Sequence, residues 1–427
     1  MSNKVVLVEG TRTPFLRSGT SYVDLMSYQL GAMAISGLLN KSAVSAAVID
    51  QVIMGTVVHN IVTPNVAREA ALTGGVPYTK PAHTVSQACI SANLAIAQGV
   101  DLIQTGHADV VIAGGTDSVS DIPIPFRKEM RKKLFAARNI KSFGQMLKFV
   151  LSLRPADFKP SVPAIAEFTT GRTMGQDCDL MAARYGITRD MQDEFAVRSH
   201  QLAAQAAENG ILAEEITPAS FPPKFQNIDQ DNAYRGDSTV AKLSKLRPAF
   251  DRKNGTLTAA NSSFLTDGAA VVLLMSEKKA KELGLQPKAA IKSYVFTGQD
   301  PDEELLLGPA YATYKILEKE GLTIGDIDVF EYHEAFAAQI LTNLHCIDSD
   351  RFAKEKIGAK KKLGEIPIEK FNVHGGSLSL GHPFGATGAR LATTASNRLQ
   401  REDGQLALIA ACAAGAHGHA MLLERYN

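Results

Sequence analysis

Cys89 lies in Ser86-Gln87-Ala88-Cys89-Ile90-Ser91-Ala92, where small residues crowd a thiol and a helix-forming stretch begins at or just after it. A cysteine at a helix N-terminus sees the positive end of the macrodipole and unpaired backbone N–H groups, and both lower a thiol pKa. That placement predicts a thiolate near neutral pH and nucleophilic chemistry. A lone cysteine is more often buried and inert, so context has to decide. Gly381-His382-Pro383-Phe384-Gly385-Ala386-Thr387-Gly388 supplies it: glycines and a proline fix a tight turn before a helix and leave His382 as the large polar side chain. An imidazole there can act as base toward a thiol or donate to an oxyanion.

Two further motifs fit the same chemistry. His333-Glu334-Ala335-Phe336 follows an apolar strand, the place where α/β folds set catalytic groups. It is not the HExxH zinc motif, because the second histidine is missing. Cys412-Ala413-Ala414-Gly415-Ala416 follows the last long apolar run. A second thiol there can exchange protons with a thiol substrate, since thiols share pKa values of about 8 to 9. His59, His83, His107, His200 and His345 stand singly and read as structural or exposed. His374, His417 and His419 lie close to the active motifs and are read as supporting groups. No clusters have zinc-ligand spacing, so no metal site is expected.

The elements that must position these groups are those of an α/β fold. Strands are predicted at Val5–Glu9, Gln51–Val58, Ala108–Ala113, Ala269–Met275, Asp328–Tyr332, Gln405–Ala411 and Gly418–Leu423, with Ala/Leu-rich helices such as Ala92–Thr105 and Gly388–Leu399 between them. A weak internal repeat is visible. A strand-like segment near Thr84–Gln87 leads into Cys89, a helix and a strand, as Gly375–Leu378 leads into His382, a helix and a strand. Upstream, Val52–Thr56 parallels Val329–His333.

The 427 residues are too many for one ordinary core. A net charge of +1 gives no global electrostatic reason to expect nucleic acid. No apolar run of about eighteen residues is present to span a membrane. Four scattered cysteines, with neither a CxxC pair nor a short disulfide framework, fit a reducing compartment. Met1 runs straight into the first strand, which predicts no signal peptide. Residues 121–255 hold fewer strand-like runs and read as an insertion on the first half. Within it, 127–154 carries nine basic residues against one acid, Glu129, interleaved with apolar ones. That predicts a basic amphipathic helix or helical pair suited to an anionic membrane surface or an acidic partner.

Together these segments resemble the thiolase family over essentially the whole chain. The resemblance runs from Arg12-Thr13-Pro14-Phe15 through Asn65–Glu69, the Cys89 segment, Ala113–Ser118, Thr173-Met174-Gly175, Gln192–Ala196, Leu246–Phe250, Asn261–Ser263 and Thr266–Ala270 to the His333, His382 and Cys412 motifs. It implies a duplicated, five-layered αβαβα fold with an inserted loop domain. The implied units are 1–120 plus about 256–275, a loop domain at 121–255, and 276–427. It also implies a ping-pong cleavage of 3-ketoacyl-CoA through acyl-Cys89, with coenzyme A as substrate and no bound cofactor. His382 would activate Cys89, and Cys412 would carry the proton of the CoA thiol or of the leaving acetyl-CoA carbon. One oxyanion hole would use His382 and a water on His333, the other the backbone N–H groups of Cys89 and Ala414. Ser263 and Met174 would contact pantetheine or acyl chain, and Arg235 the nucleotide end.

Most thiolases have Asn at the place of His333 and glycine at that of Ala414. The versions here are similar to the thiolase subunit of the fatty-acid β-oxidation multienzyme complex, as are Pro248 with its flanks and Leu306–Pro309. That subgroup implies a homodimer, a hydratase/dehydrogenase α subunit as partner, and membrane contact through 127–154. Its setting is the cytoplasm of a bacterium or the mitochondrion of a eukaryote. Ala416 replaces a glycine common even there. The rival readings are an acetoacetyl-CoA-forming thiolase, a Claisen-condensing synthase, which would lack Cys412, and a non-catalytic scaffold.

Overall fold

The computed structural model describes residues 3–161 and 166–427. In its first strand, β1 (Val5–Arg12), Val5 and Leu7 point to one face and Val6 and Val8 to the other, and all four are buried. A strand apolar on both sides must be covered twice. The other strands are β2 (Leu16–Arg17), β3 (Gln51–Gly55), β4 (Ala82–Val85), β5 (Val110–Asp117), β6 (Thr266–Ser276), β7 (Ala289–Gly298), β8 (Val329–Tyr332), β9 (Leu406–Ala413) and β10 (His417–Arg425). They form one sheet in the order β4-β3-β5-β6-β1-β7-β10-β9-β8, with β2 paired to β6.

The sheet is two repeats joined at a narrow seam. Only Val6↔Ala290 and Leu7↔Ala289 connect β1 to β7. On one side β3 and β5 are parallel and β6 and β1 add antiparallel. On the other, β8 and β9 are parallel and β10 and β7 add antiparallel. The counterpart of the β4 pairing is a single parallel bridge, Phe330↔Phe371.

Helices complete five layers. The longer ones are α1 (Ser27–Ser42), α2 (Val66–Thr73), α3 (Ser91–Gln104), α4 (Lys128–Ala137), α5 (Phe143–Ser152), α6 (Met174–Tyr185), α7 (Arg189–Glu208), α8 (Gly308–Glu320), α9 (Ala337–Ile347) and α10 (Thr387–Arg401). Helices α3 and α10 form the middle layer, where Ala92, Ala95, Ile96 and Val100 meet Ala389, Leu391, Ala392 and Ala395 between the inward faces of both half-sheets. Helices α1 and α2 cover the outer face of the first half-sheet, and α6, α8 and α9 that of the second. Close approach in the middle layer needs small residues: a Cβ on Gly388 would lie 2.1 Å from Asn93 Oδ1.

All seven expected strands are present, with shifted ends. The stretch expected to run to Val58 stops at Gly55, because Val57 and Val58 turn away to donate to Asp117. Strand β7 had no counterpart in the sequence reading, since Lys292 and Ser293 interrupt its apolar run. The repeat is real, but the alignment of Val52 with Val329 is one residue out of register. Val52 packs outward while Val329 packs inward, and Ile53 is the inward residue of β3. A one-residue slip exchanges the faces of a strand. The basic segment is a pair of helices, α4 and α5, as expected. Among the described residues no helix is long and apolar enough to cross a membrane.

Candidate active site

Both central helices begin in the turns that the sequence singled out. β4 leads into a turn in which Ala88 is forced to φ 46° and Gln87 bridges to Cys89. Ser91 staples that turn: its Oγ accepts from Gln87 N–H at 2.8 Å and donates to the Ala88 carbonyl at 2.7 Å. Cys89 therefore sits just ahead of α3, facing the gap between the halves. On the other side Gly381, at φ 101°, lets the chain pass Thr266, whose Oγ1 would lie 2.5 Å from a Cβ. His382 follows, its N–H donating to Thr266 Oγ1 at 3.1 Å.

His382 and His333 lie with ring centroids 4.0 Å apart. One nitrogen from each and the Cys89 sulfur fall within 4.8 Å of one another. His382 Nδ1 is 2.6 Å from Thr387 Oγ1, and that hydroxyl gives its proton to the Pro383 carbonyl at 3.1 Å. Thr387 must then accept from the ring, so His382 carries its proton on Nδ1 and leaves Nε2 as a free base. Nε2 of both histidines is buried without a hydrogen-bond partner among the described residues. Such orphans call for an explanation, and a substrate atom or water is the natural one.

Burial governs the proton inventory. It pushes the Cys89 thiol up to about 11, partly opposed by the N–H of Ala414 and its own N–H. It pushes His382 down to about 3, with the Arg390 charge adding to the effect, and holds His333 well below its ordinary value, with His382 and Arg390 adding to it. This runs against the helix-end expectation of a thiolate near neutral pH: α3 starts only at Ser91, and desolvation by the apolar walls opposes its field. Both effects, on Cys89 and on His382, favour a neutral thiol beside a neutral imidazole. Cys412, at the end of β9, is buried and its thiol is also raised, by burial and by Cys89.

These groups open on a cavity of about 450 Å³. Cys89, His382, Cys412 and Ala414 line it, as do Ser263 and Met174. Its walls are mostly apolar, built by Val57, Phe250, Leu306, Phe336 and Phe384. Met174 is placed by the Thr173 cap of α6, and Ser263 by its N–H bond to the Ala335 carbonyl at 3.0 Å. Arg235 is not among the lining residues. It is exposed, and its N–H meets His200 Nδ1 at 3.2 Å. His419 is buried against Phe296 and takes a bond from Asn93, while His374 lies by Arg401 and Glu402. His417 pairs with Ala413 across the β9–β10 turn, beside Gly415.

Sequence reasoning missed the residues that hold the site. Asp117, at the end of β5, accepts from Thr56 Oγ1, from the N–H groups of Val57 and Val58, and from Gly385 N–H. It thereby ties the first half to the His382 turn. Glu334 accepts from Ser199, Asn372 and the Leu378 N–H, anchoring the segment before that turn. Thr387 and Ser377 hold the two imidazoles. The signal for these was only their polarity inside apolar runs.

Two α/β repeats that set a cysteine turn and a Gly-His-Pro turn against each other, with a second thiol at the same cavity, define an acyl-transfer fold. The chain belongs to the thiolase family: residues 5–278 match the thiolase N-terminal domain and 285–425 the thiolase C-terminal domain. It is 51% identical over 422 residues to the mitochondrial trifunctional enzyme subunit beta of Bos taurus, covering 99% of this chain and 88% of that one. It is 46% identical to the 3-ketoacyl-CoA thiolase of Yersinia pestis, with 99% and 97% covered. The crystal structure of the Bacillus anthracis acetyl-CoA acetyltransferase superposes with a TM-score of 0.84 at 32% identity, covering 99% of both chains.

Proposed function

We propose that the chain is a 3-ketoacyl-CoA thiolase of fatty-acid β-oxidation, an acetyl-CoA C-acyltransferase. The observation that carries this reading is the convergence of Cys89, His382 and His333 beside Cys412 at one apolar cavity. His382 Nε2 takes the Cys89 proton as sulfur attacks the 3-keto carbon. The oxyanion is received by His382 and a water on His333. The Cα–Cβ bond breaks, its electron pair stays on the acetyl-CoA carbon, and Cys412 supplies that carbon with a proton. Cys412 thiolate then takes the proton of coenzyme A, whose sulfur attacks the acyl-Cys89 thioester; Cys89 leaves as thiolate and takes its proton back from His382, and the shortened acyl-CoA departs. The Cys89 and Ala414 N–H groups, which both act on the Cys89 thiol, would receive that second oxyanion. A donor of this kind is commonly worth about 10²–10³ in rate. Coenzyme A acts as substrate, and no bound cofactor or metal enters any step.

Apolar walls of Val57, Met174, Phe250, Leu306 and Phe336 favour long acyl chains over the two-carbon unit of an acetoacetyl-CoA-forming thiolase. The test is CoA-dependent loss of a long-chain 3-ketoacyl-CoA beside acetoacetyl-CoA. Preference for the long chain is expected, and preference for acetoacetyl-CoA would move the enzyme to the short-chain branch. Cys89→Ala separates enzyme from scaffold, since a scaffold keeps its function.

The same reading extends to assembly and place. It divides the chain into 1–120 with about 256–275, a loop domain at 121–255, and 276–427. It gives the chain a homodimer, supported by the outer edge of β4, unpaired among the described residues and leading into the Cys89 turn. It adds a hydratase/dehydrogenase α subunit, and a setting in bacterial cytoplasm or the mitochondrion. It assigns the nucleotide end of CoA to Arg235. Contact with anionic membrane through 127–154 is supported by α5, where Phe143, Met146, Leu147, Val150 and Leu151 are exposed beside the basic residues of the pair. Liposome pelleting checks this: equal binding to neutral and anionic vesicles would sink the electrostatic version.

A further inference from the structure

We infer that Arg390 and Ser377 are positioning residues that fix His333 as an Nε2–H donor, an inference resting on the thiolase reading of the site. Ser377 Oγ lies 2.8 Å from His333 Nδ1 and accepts from Arg390 Nη2 at 3.2 Å. Arg390 Nη1 is 3.6 Å from Glu331 Oε2, and Glu331 Oε1 takes a bond from Arg398 Nη1 at 2.8 Å. All of these side chains are buried.

A guanidinium offers donors only, so it fills an acceptor site of the serine hydroxyl. The hydroxyl keeps a second acceptor site, but its single proton finds no acceptor among the described residues other than His333 Nδ1, and so it points there. A ring nitrogen that accepts carries no proton, so the His333 proton sits on Nε2, which has no partner among the described residues. Thr387 imposes the opposite arrangement on His382, 4.0 Å away. One imidazole therefore presents a lone pair and the other an N–H. With two lone pairs only His382, once protonated, could donate to the oxyanion and His333 could not; with two N–H groups the site would have no base. The positive charge of Arg390, shared by both rings, also disfavours a second proton on either.

Histidine-selective 15N NMR of the full chain reads the assignment directly, with His333→Asn identifying the signal. The expected result is His333 protonated on Nε2 and His382 on Nδ1. His333 protonated on Nδ1, or both rings in one tautomer, would overturn the inference whether or not the enzyme turns over any substrate. A kinetic arm follows. Ser377→Ala should lower kcat about 10–100-fold, the usual cost of losing a group that orients a ligand, with KM within about twofold. The rate of Cys89 alkylation by iodoacetamide, which depends on His382, should be retained. Ser377→Thr, which keeps the hydroxyl, should restore kcat. Unchanged kcat in Ser377→Ala, or an equal fall in alkylation, would show that Ser377 does not act through His333. No turnover by the unaltered chain would instead refute the thiolase reading, leaving the tautomer result to stand alone.

Discussion

The first repeat and the second use the same strand order, yet they finish their central strands differently. The first ends β3 and β5 in Thr56, Val57, Val58 and Asp117, which satisfy one another. The second ends β8 and β9 in His333 and Cys412, and the His333 ring keeps Nε2 without a partner among the described residues, with a ring nitrogen close to His382 and Cys89. Asp117 is as deeply buried as His333, but every donor around it is used to hold a turn. Duplication supplied two equivalent platforms. At these strand ends one half became a clamp and the other sets His333 and Cys412 beside Cys89 of the first half, and the difference lies in which buried polar atoms were left without partners.

The comparison breaks most visibly at His382. His382→Asn removes the base and should slow turnover about 10²–10⁴-fold, the usual share of general acid–base catalysis. Unfolding should change little, because the lost nitrogen bonds nothing among the described residues. A large loss of stability with activity retained would show that the ring serves packing. The proton inventory adds a pH test. With the thiol pushed up to about 11, the reactive thiolate fraction grows about tenfold per pH unit below that value. Alkylation of Cys89 in the free enzyme should therefore climb from pH 7 to 9 without levelling. A plateau near neutrality would reveal a resting thiolate–imidazolium pair instead.

The clamp should behave in the opposite way. Asp117→Asn keeps the shape but turns one acceptor into a donor facing backbone N–H groups from Val57 or Gly385. Loss of a charge-assisted bond and an unpaired buried donor together cost about 2–4 kcal/mol. A lowered denaturation midpoint is expected, with activity falling only as far as the His382 turn loosens. If the midpoint holds while kcat collapses, Asp117 belongs to the chemistry and the contrast between the halves fails.

Much of this site was legible before any fold was known, because its reactive groups stand at breaks in pattern. His333 and Cys412 each follow an apolar run, and Cys89 and His382 stand in small-residue or glycine-rich turns. Seven strands were readable for the same reason: both faces are buried and the runs are continuous. Three features were not. β7 alternates with Lys292 exposed, so its run is broken. The register of the repeat depends on which face of β3 and β8 meets the middle layer, which one strand's composition does not encode when both faces are apolar. The thiol's pKa depends on the cavity walls, and Phe250, Leu306 and Phe384 arrive from distant stretches of chain. The helix-end field is local and readable, whereas desolvation is tertiary.

The smallest expected effect concerns the alanine that stands where relatives of the resembled subgroup carry glycine. Ala416 lies in the turn between β9 and β10 at φ 54°, fully buried, with its carbonyl taking the Gln299 N–H at 2.8 Å. A side chain in this left-handed region costs about 1–2 kcal/mol, because Cβ crowds the following carbonyl. Glycine removes that strain but gives back about 0.5–1 kcal/mol through its freer unfolded chain. Ala416→Gly should therefore be neutral to stabilising by about 1 kcal/mol, visible as a small rise in denaturation midpoint. Turnover should stay within about twofold, since Ala416 is not among the residues lining the cavity beside Cys412. A larger gain in kcat would mean that the methyl holds Gly415 and Ala414 away from their best placement, making this turn a brake on the second repeat rather than a tolerated strain.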